Sequence, residues 1–549
     1  MKKIHLFMCI LATLSIAGCQ ERFAPENGSN GDANTSYMAV NLKSPIVGTR
    51  AANGYEDGST IENDVESVRF YFFTANGAIA NVKLLGNSYV NYYDWTPGEG
   101  DQKDDKDGDD IESILAATIV ISTKDGDKLP QSIAAVLNPT GLDNTSKSLK
   151  DLKAIVNDYA ASGLTSQGTF VMFNSVYGDN GSEICAVPIE AKHLQKTADK
   201  AKANPVTIYV ERSVAKVRVA LGTNVANAAT DKLELKNKKD SNEPLLVGGE
   251  KVYLKLNGWS LTAETDEGRL VKCIDPSWTS NWWNGSHRSF WAINSEKSKN
   301  KYYSYNEIGT AIGTEELYTN ENALDYDADA PIKRTKVILK GQLCKADGTA
   351  FTIVRHLGAH FADDENFTEL KANILSQLTA NGYNYYYADG DGRTQIDKAD
   401  IQIVVAEQKT NEDSKNNCYV YAQLTDDAAK KTWYASSDKE DTDIVTAETI
   451  NTTLKDKKVI DWALVWKDGM TYYYYEIIHN GTGENATKGV VRNHIYATTV
   501  TSIAGLGTPV YDPGKVIYPE KPEDNDHYIA AEINILSWRV VNSSYDLEW

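Results

Sequence analysis

Three places along this chain of 549 residues carry residues whose type and spacing could do chemistry. Lys2 and Lys3 precede an apolar stretch from Ile4 to Ile16, too short to span a bilayer, which closes in Ile16-Ala17-Gly18-Cys19. Small residues before a cysteine suit a lipoprotein signal peptidase, and the Cys19 thiol is the atom that would receive a diacylglycerol. Several acyl chains hold a protein to a membrane far better than one. The expectation is a lipoprotein precursor exported from a bacterial cell. Farther along, Gly48-Thr49-Arg50 and Ala51-Ala52-Asn53-Gly54 form a small-residue, loop-like stretch, where Arg50 offers a trypsin-type cleavage point. The third place is a matter of backbone chemistry. Ala531–Trp549 reads as a strand that ends the chain with no later partner in sequence, so its hydrogen bonds must be supplied by something else.

Catalytic constellations are missing. The chain has no Gly-x-Ser-x-Gly, no His-Glu-x-x-His, no Gly-x-x-x-x-Gly-Lys and no dinucleotide fingerprint. Its eight histidines give little to build a site with, and His287, His356, His360 and His479 fall in polar, strand-rich or loop contexts. Neither enzyme activity nor a cofactor is expected. Asp101–Asp110 reads as a solvated acidic loop, because Lys103 and Ile114 fall where an EF-hand needs ligands. Asp389-Gly390-Asp391-Gly392 reads as a tight hairpin turn, with Tyr387 in the place of a first calcium ligand. Trp278, Trp282, Trp283, Phe290 and Trp291 could stack against sugars, but aromatics at alternating positions more often fill a sandwich core.

The formal charge of -20 argues against nucleic acid and against adhesion to anionic lipid by charge. Six cysteines include Cys9 and Cys19 in the signal. Cys185, Cys273, Cys344 and Cys418 lack zinc-type spacing; they could make two disulfides or sit as small buried hydrophobes.

The elements that must position these residues are strands. Short runs rich in Val, Ile, Thr and aromatics, punctuated by Gly, Asn and Asp, indicate β-sandwiches. Candidates are Val65–Thr74, Ala117–Ser122, Ser132–Leu137, Val206–Leu221, Lys251–Ala263, Thr335–Gln342, Ile401–Glu407, Thr471–His479 and His494–Ile503. Helical spacing occurs twice, at Leu149, Leu152, Ile155, Val156 and Tyr159 and at Leu370, Ile374, Leu375 and Leu378. Glu21 to Thr35 is a Gly-, Asn- and Ser-rich tether. Tyr37–Val47 then alternates, with Met38, Val40 and Leu42 on one face, as a half-buried strand would. Tyr472–Tyr475 should place two tyrosines inward and two outward. Tyr511–His527, with Pro513, Pro519 and Pro522, should be a semi-rigid spacer.

Several stretches carry a resemblance to a known family: the lipobox at Cys19, Val210-Glu211-Arg212-Ser213-Val214-Ala215-Lys216-Val217, Arg288-Ser289-Phe290-Trp291-Ala292, Val491-Arg492-Asn493-His494-Ile495-Tyr496, and the ending at Trp538 and Tyr545–Trp549. In these the chain resembles the Bacteroidales fimbrillins, the type V pilins, and among them the major shaft subunits of short, Mfa-type fimbriae. The individual pieces are short, but together they span almost the whole chain. The acidic insertion at Asp101–Asp110 and the shorter proline spacer depart from those relatives.

The resemblance implies an all-β chain of two transthyretin-like Greek-key β-sandwich domains with short inserted helices. Residues 1–19 would be the signal peptide, 20–50 a propeptide with tether and N-terminal strand, 51–210 and 211–510 the two sandwiches, 511–527 the spacer and 528–549 a donor strand. It further implies that an Arg-specific protease cuts between Arg50 and Ala51. Loss of the N-terminal strand would then open a groove for the terminal strand of the next subunit. Leu536, Trp538 and Val540 would point into that groove as successive same-face positions, with Ile533 and Ile535 opposite unless a bulge intervenes. The partners implied are identical subunits joined head to tail, anchor and tip proteins, the protease, the outer membrane through the precursor's lipid, and host receptors; the destination is an extracellular fimbrium. A glycan-binding surface lipoprotein explains the lipobox and the tryptophans but leaves the terminal strand idle. An anchor subunit would keep its lipid without the cut, and a tip would lack the tail.

Overall fold

The computed structural model describes residues 35–45 and 58–519, apart from 84–88, 99–101, 105–110, 123–128, 164–168, 180–181, 238–242, 275–291, 295–298, 325–332, 407–418, 441 and 480–487. It also gives the backbone of the strands at 528–536 and 540–543. Cys19, Arg50, Ala51, the tryptophan-rich stretch at 278–291, Cys418 and Trp538 lie outside the described residues. Within them the chain is all-β, built from β-sheets with short helices between strands.

The first lobe is organised around its N-terminal strand, β1 (Thr35–Pro45). Met38, Val40 and Leu42 are at most 2% exposed while Tyr37, Asn41 and Lys43 are half-buried, the alternation their spacing predicts. β1 runs antiparallel to β2 (Ile111–Ser122) and parallel to β3 (Val206–Arg212). Beyond β3 the ladder continues through Met172–Asn174, Ser132–Leu137, Val68–Phe73 and Tyr92–Trp95. Phe70, Phe72, Ile119, Ile133 and Ile208 close on β1 to form the core. Gln102–Asp104, expected in a solvated acidic loop, instead form a short strand against Ser113–Leu115, because a neighbouring strand is there to take their backbone groups.

Val206–Leu221, expected as one strand, is two. The chain breaks at buried Ser213, whose N–H donates to Val171 O at 3.0 Å, and continues as β4 (Val214–Leu221) in a different sheet. Hydrophobic pattern cannot reveal such a crossover, since both halves are apolar and both are buried. β4 opens the second lobe, pairing with Glu316–Asn320 on one side and parallel to β5 (Ile495–Ala504) on the other. A second sheet of Tyr253–Thr262, Lys336–Cys344 and Met470–Glu476 packs against it through Val217, Val219, Leu254, Trp259, Leu339, Tyr473 and Tyr496.

Between Cys344 and Met470 lies a lobe that strand spacing did not separate from the expected 211–510 sandwich. Thr352–His356, Ala359–Asp363, Ile401–Val405, Tyr419–Leu424 and Ala463–Trp466 form its sheet. Leu370, Ile374 and Leu378 of the Thr368–Ala380 helix and Ile450 and Leu454 of the Ala447–Lys455 helix share its core with Trp433. The other expected helix is interrupted. Leu149–Lys153 is helical, but Val156–Asn157 pair with Gly268–Arg269, a long-range bond that outweighs local helical spacing. The Asp389 turn is a hairpin between Tyr386–Asp389 and Gly392–Gln395, with Gly390 at φ +56°. Cys185, Cys273 and Cys344 are free thiols, and burial pushes Cys185 up to about 11.

The tyrosine run alternates as expected, but both of its faces are covered. Tyr473 and Tyr475 enter the sandwich core, while Tyr472 and Tyr474 pack with Tyr305, Val510 and Ile517. The cover on that second face is the start of the presumed spacer, which is therefore not free. The Ile517 N–H donates to Tyr303 O at 2.8 Å, the Asn306 N–H to Pro513 O at 3.1 Å, and Tyr511 stacks on Phe367. Proline prevents this stretch from joining a sheet, yet Ile517 and the neighbouring tyrosines give it apolar area to bury.

Candidate functional site

The geometry around β1 is that of a seam. In register β1 runs from Thr35↔Ser122 to Pro45↔Ile111 on one side and from Val40↔Val206 to Lys43↔Tyr209 on the other, with a shift near Pro45. No ladder joins β2 directly to β3. Without β1 the sheet of this lobe separates into two parts, with two facing edges and an apolar floor once covered by Met38, Val40 and Leu42.

The terminal strand is partnered within its own chain, which corrects the expectation that it has none. β6 (Tyr528–Leu536) lies antiparallel on β5, from Ile495↔Leu536 to Ala504↔Tyr528, with a bulge between Val500 and Ser502. Left alone, β5 would present an open edge, and the nearest strand of the same chain takes it. The chain then reverses into β7 (Val540–Ser543), which pairs Leu536↔Val540 through Ile533↔Ser543. Leu536 and Val540 are thus cross-strand neighbours in a hairpin, not successive same-face positions of one strand. The hairpin satisfies the outer backbone groups of β6. Ile533, Ile535 and Leu536 all lie on β6, and the extra residue of the bulge, Thr501, is on β5 opposite Ala530 and Ala531.

Between the two lobes lies a joint of buried charge that the sequence reading passed over. Its pieces are the two stretches around Arg212 and Arg492 noted above only as family words. Lys272 and Glu211 pair at 2.9 Å with side chains at most 1% exposed, and Arg492 and Glu321 pair at 3.0 Å with side chains at most 2% exposed. Arg492 also donates to Leu270 O at 3.0 Å and Arg269 O at 2.5 Å. The Asn493 N–H donates to Val214 O, and the Lys216 N–H to His494 O. Beside them sits the one-turn helix α1 (Thr60–Asn63), whose N-cap Ser59 and Glu62 form a capping box. Glu62 accepts from Tyr318 Oη at 2.7 Å and pairs with Lys216 Nζ at 3.0 Å. Arg212 Nε donates to Glu62 O at 3.0 Å, and its Nη2 meets Asn63 Oδ1. Burial works against the Glu62 carboxylate, yet Lys216, Tyr318 and the Ser59 amide hold its pKa below the ordinary glutamate value. Three charged residues within six positions, Glu211, Arg212 and Lys216, were the available signal, since a half-exposed strand rarely buries so many.

Comparison with known proteins assigns the class. Residues 465–544, which contain β5, β6 and β7, match the family described as major fimbrial subunit protein type IV, fimbrillin, C-terminal. Residues 465–544 thus resemble a fimbrillin C-terminal region. No curated protein matches it. A Bacteroides eggerthii DSM 20697 protein assigned to cell adhesion is 11% identical with a TM-score of 0.37, covering 94% of this chain and 100% of that one. The tip fimbrial protein Mfa3 of Porphyromonas gingivalis, truncated at its C-terminus, is 10% identical with a TM-score of 0.32, over 92% of this chain and 100% of that one. A fimbrial assembly protein of Parabacteroides distasonis ATCC 8503 is 13% identical with a TM-score of 0.30, over 57% and 86%. No helix among the described residues is long and apolar enough to cross a membrane.

Proposed function

We propose that this chain is the major shaft subunit of an adhesive fimbria: exported as a lipoprotein through Cys19, cut between Arg50 and Ala51, and polymerised by donor-strand exchange. The observation that carries the reading is β1 as the seam of the first lobe, with four residues between its last residue and Arg50 on the chain. A cut there severs β1 from everything it completes. The vacated slot offers a ladder on each side, whereas β5 offers β6 a ladder on one side only, its other neighbour being its own hairpin partner. A tail that leaves its own β5 for a neighbour's slot therefore gains pairing and apolar burial. Donor and acceptor surfaces differ, so the contact runs head to tail and grows a filament. Docking on β5 keeps the tail paired until a slot opens. The protease, the anchor and tip proteins, the host receptors and the lipid-held precursor on the outer membrane belong to this same reading.

The experiment is a pair of variants compared with wild type on a denaturing gel without boiling. Wild type should give a ladder of oligomers and a mature protein whose N-terminal sequence starts at Ala51. Arg50→Ala should keep the precursor intact, and deletion of Tyr528–Trp549 should leave a folded monomer. Normal filaments from either variant would sink the proposal.

A further inference from the structure

Resting on the strand-loss reading above, we infer that α1 and its cap form a latch, fastened to the joint by Arg212, Lys216 and Tyr318, that keeps the remaining N-terminal chain out of the slot β1 leaves. The threat is self-filling. Downstream of β1 the chain carries apolar residues of its own, Ile61 and Val65, and is covalently tied to the same lobe. A covalently tied segment has an effective concentration far above that of a second subunit. Any stretch free to slide back could occupy the slot and end assembly.

Ser59–Asn63 is prevented from sliding by contacts that run to the joint. Glu62 is held at both carboxylate oxygens: Oε1 by Tyr318 Oη at 2.7 Å and Lys216 Nζ at 3.0 Å, Oε2 by the Ser59 N–H at 2.6 Å. Lys216 and Tyr318 belong to the second lobe, on β4 and on the adjacent Glu316–Asn320 strand. Arg212 ends β3 and grips the Glu62 carbonyl and the Asn63 side chain from the first lobe. The Asn138 side chain extends the hold, taking the Glu66 N–H at 2.8 Å and donating to Asp64 O at 2.9 Å. Register also matters here. β1 and β3 are parallel with Lys43 opposite Tyr209, so the latch at Arg212 stands at the end of the slot where β1 leaves it. The chain from the cut is thereby stopped at the mouth of the slot. Lys216 keeps Glu316 at 3.2 Å as a second partner, so removing the Glu62 carboxylate opens the latch without stranding a buried cation.

The test uses the full chain with a site-specific protease sequence inserted before Arg50, cut in vitro and followed by hydrogen exchange and filament growth. In wild type, amides of β2 and β3 should lose protection on cutting, before filaments form, while those of residues 59–73 keep it, and filaments should then grow. Glu62→Ala, with an uncut melting profile that certifies its fold, should on cutting lose protection at 59–67, regain it on β2 and β3, and grow filaments about tenfold more slowly. Glu62→Gln, which retains hydrogen bonding, should fall between. Unchanged growth in cut Glu62→Ala, or loss of protection at 59–67 in cut wild type, overturns the latch alone. If β2 and β3 stay protected in cut wild type, β1 has not left, and the strand-loss reading fails together with the latch.

Discussion

Two strands from opposite ends of the sequence complete two sheets in opposite ways. β1 is inserted between β2 and β3, with Met38, Val40 and Leu42 in the core of the first lobe; β6 is laid on the outside of β5, with only its own hairpin partner beyond. A central strand cannot leave without opening its lobe, whereas an added strand can leave and expose only the edge it covered. In the assembly proposed above, the difference divides the two tasks of a subunit that would first stay monomeric and later polymerise. The strand whose loss is costly needs a covalent cut to release it. The strand whose loss is cheap can search for a partner while its body stays folded.

The largest effect that tests this contrast is removal of β1 itself. Three fully buried apolar side chains at about 1.5–3 kcal/mol each amount to roughly 5–9 kcal/mol lost from the first lobe. Chemical denaturation of cut and uncut protein should show a transition of this lobe shifted by that order, with the second lobe unmoved. If β1 departs with less than about 2 kcal/mol, its position between β2 and β3 does not hold the lobe together.

Next is the joint. Arg492→Ala leaves the Glu321 carboxylate buried and without its main counter-charge, which should cost about 3–5 kcal/mol. The double variant with Glu321→Gln should recover part of that loss. Because the pair lies between the lobes, the single variant should also split a common unfolding transition into two. A single transition lowered as a whole would place the joint within one cooperative unit and not between two.

How much of this was legible in the chain depends on distance. β1 could be read from local alternation, because it shows a clear inner and outer face, whereas Ser132–Leu137 and Met470–Glu476 could be read only as runs of strand-forming residues, since both faces of each are covered. Glu211, Arg212 and Lys216 read as polar positions of an ordinary strand, because the partners that bury them lie far off: Arg212 meets Asn493 across 281 residues. The hairpin at the tail was missed for a different reason. Ser537-Trp538-Arg539 contains no Gly, Pro, Asn or Asp, so nothing marks a reversal between Leu536 and Val540. The lobe inserted between Cys344 and Met470 was invisible because its strands have the same composition as the sandwich that contains it.

A smaller effect sharpens the other half of the comparison. Asn534 lies opposite Ala497 on β5 and opposite Asn542 on β7, so Asn534→Pro removes a backbone donor from the middle of the tail hairpin. In the body of a sheet that change removes a ladder hydrogen bond and is hardly tolerated. Here the tail can detach, which caps the loss at its docking energy, and the body should melt within about 1 kcal/mol of wild type. Hydrogen exchange should rise along Ile495–Ala504 and the tail strands themselves, and nowhere else. Destabilisation of the whole second lobe would show β6 to be as integral as β1.

The smallest effect concerns pH and separates the latch from the strand it guards. The Glu62 carboxylate has its pKa held below the ordinary glutamate value, with Lys216, Tyr318 and Ser59 prevailing over burial. A carboxyl group depressed in the folded state contributes stability that is fully present above its unfolded pKa and is lost as pH falls through the folded one. The window therefore opens below about pH 4.3, the usual glutamate value, and closes at the lower folded value. Wild type should lose stability through that window more steeply than Glu62→Gln, which has no proton to take up there, while above it the two curves should run parallel. Every other carboxylate, including Glu316 beside Lys216, is common to the two proteins, so the difference between the curves belongs to Glu62. Parallel curves down through the window would mean that Lys216 holds α1 no better than a neutral hydrogen bond would, and that charge contributes nothing to keeping the N-terminal chain at the joint.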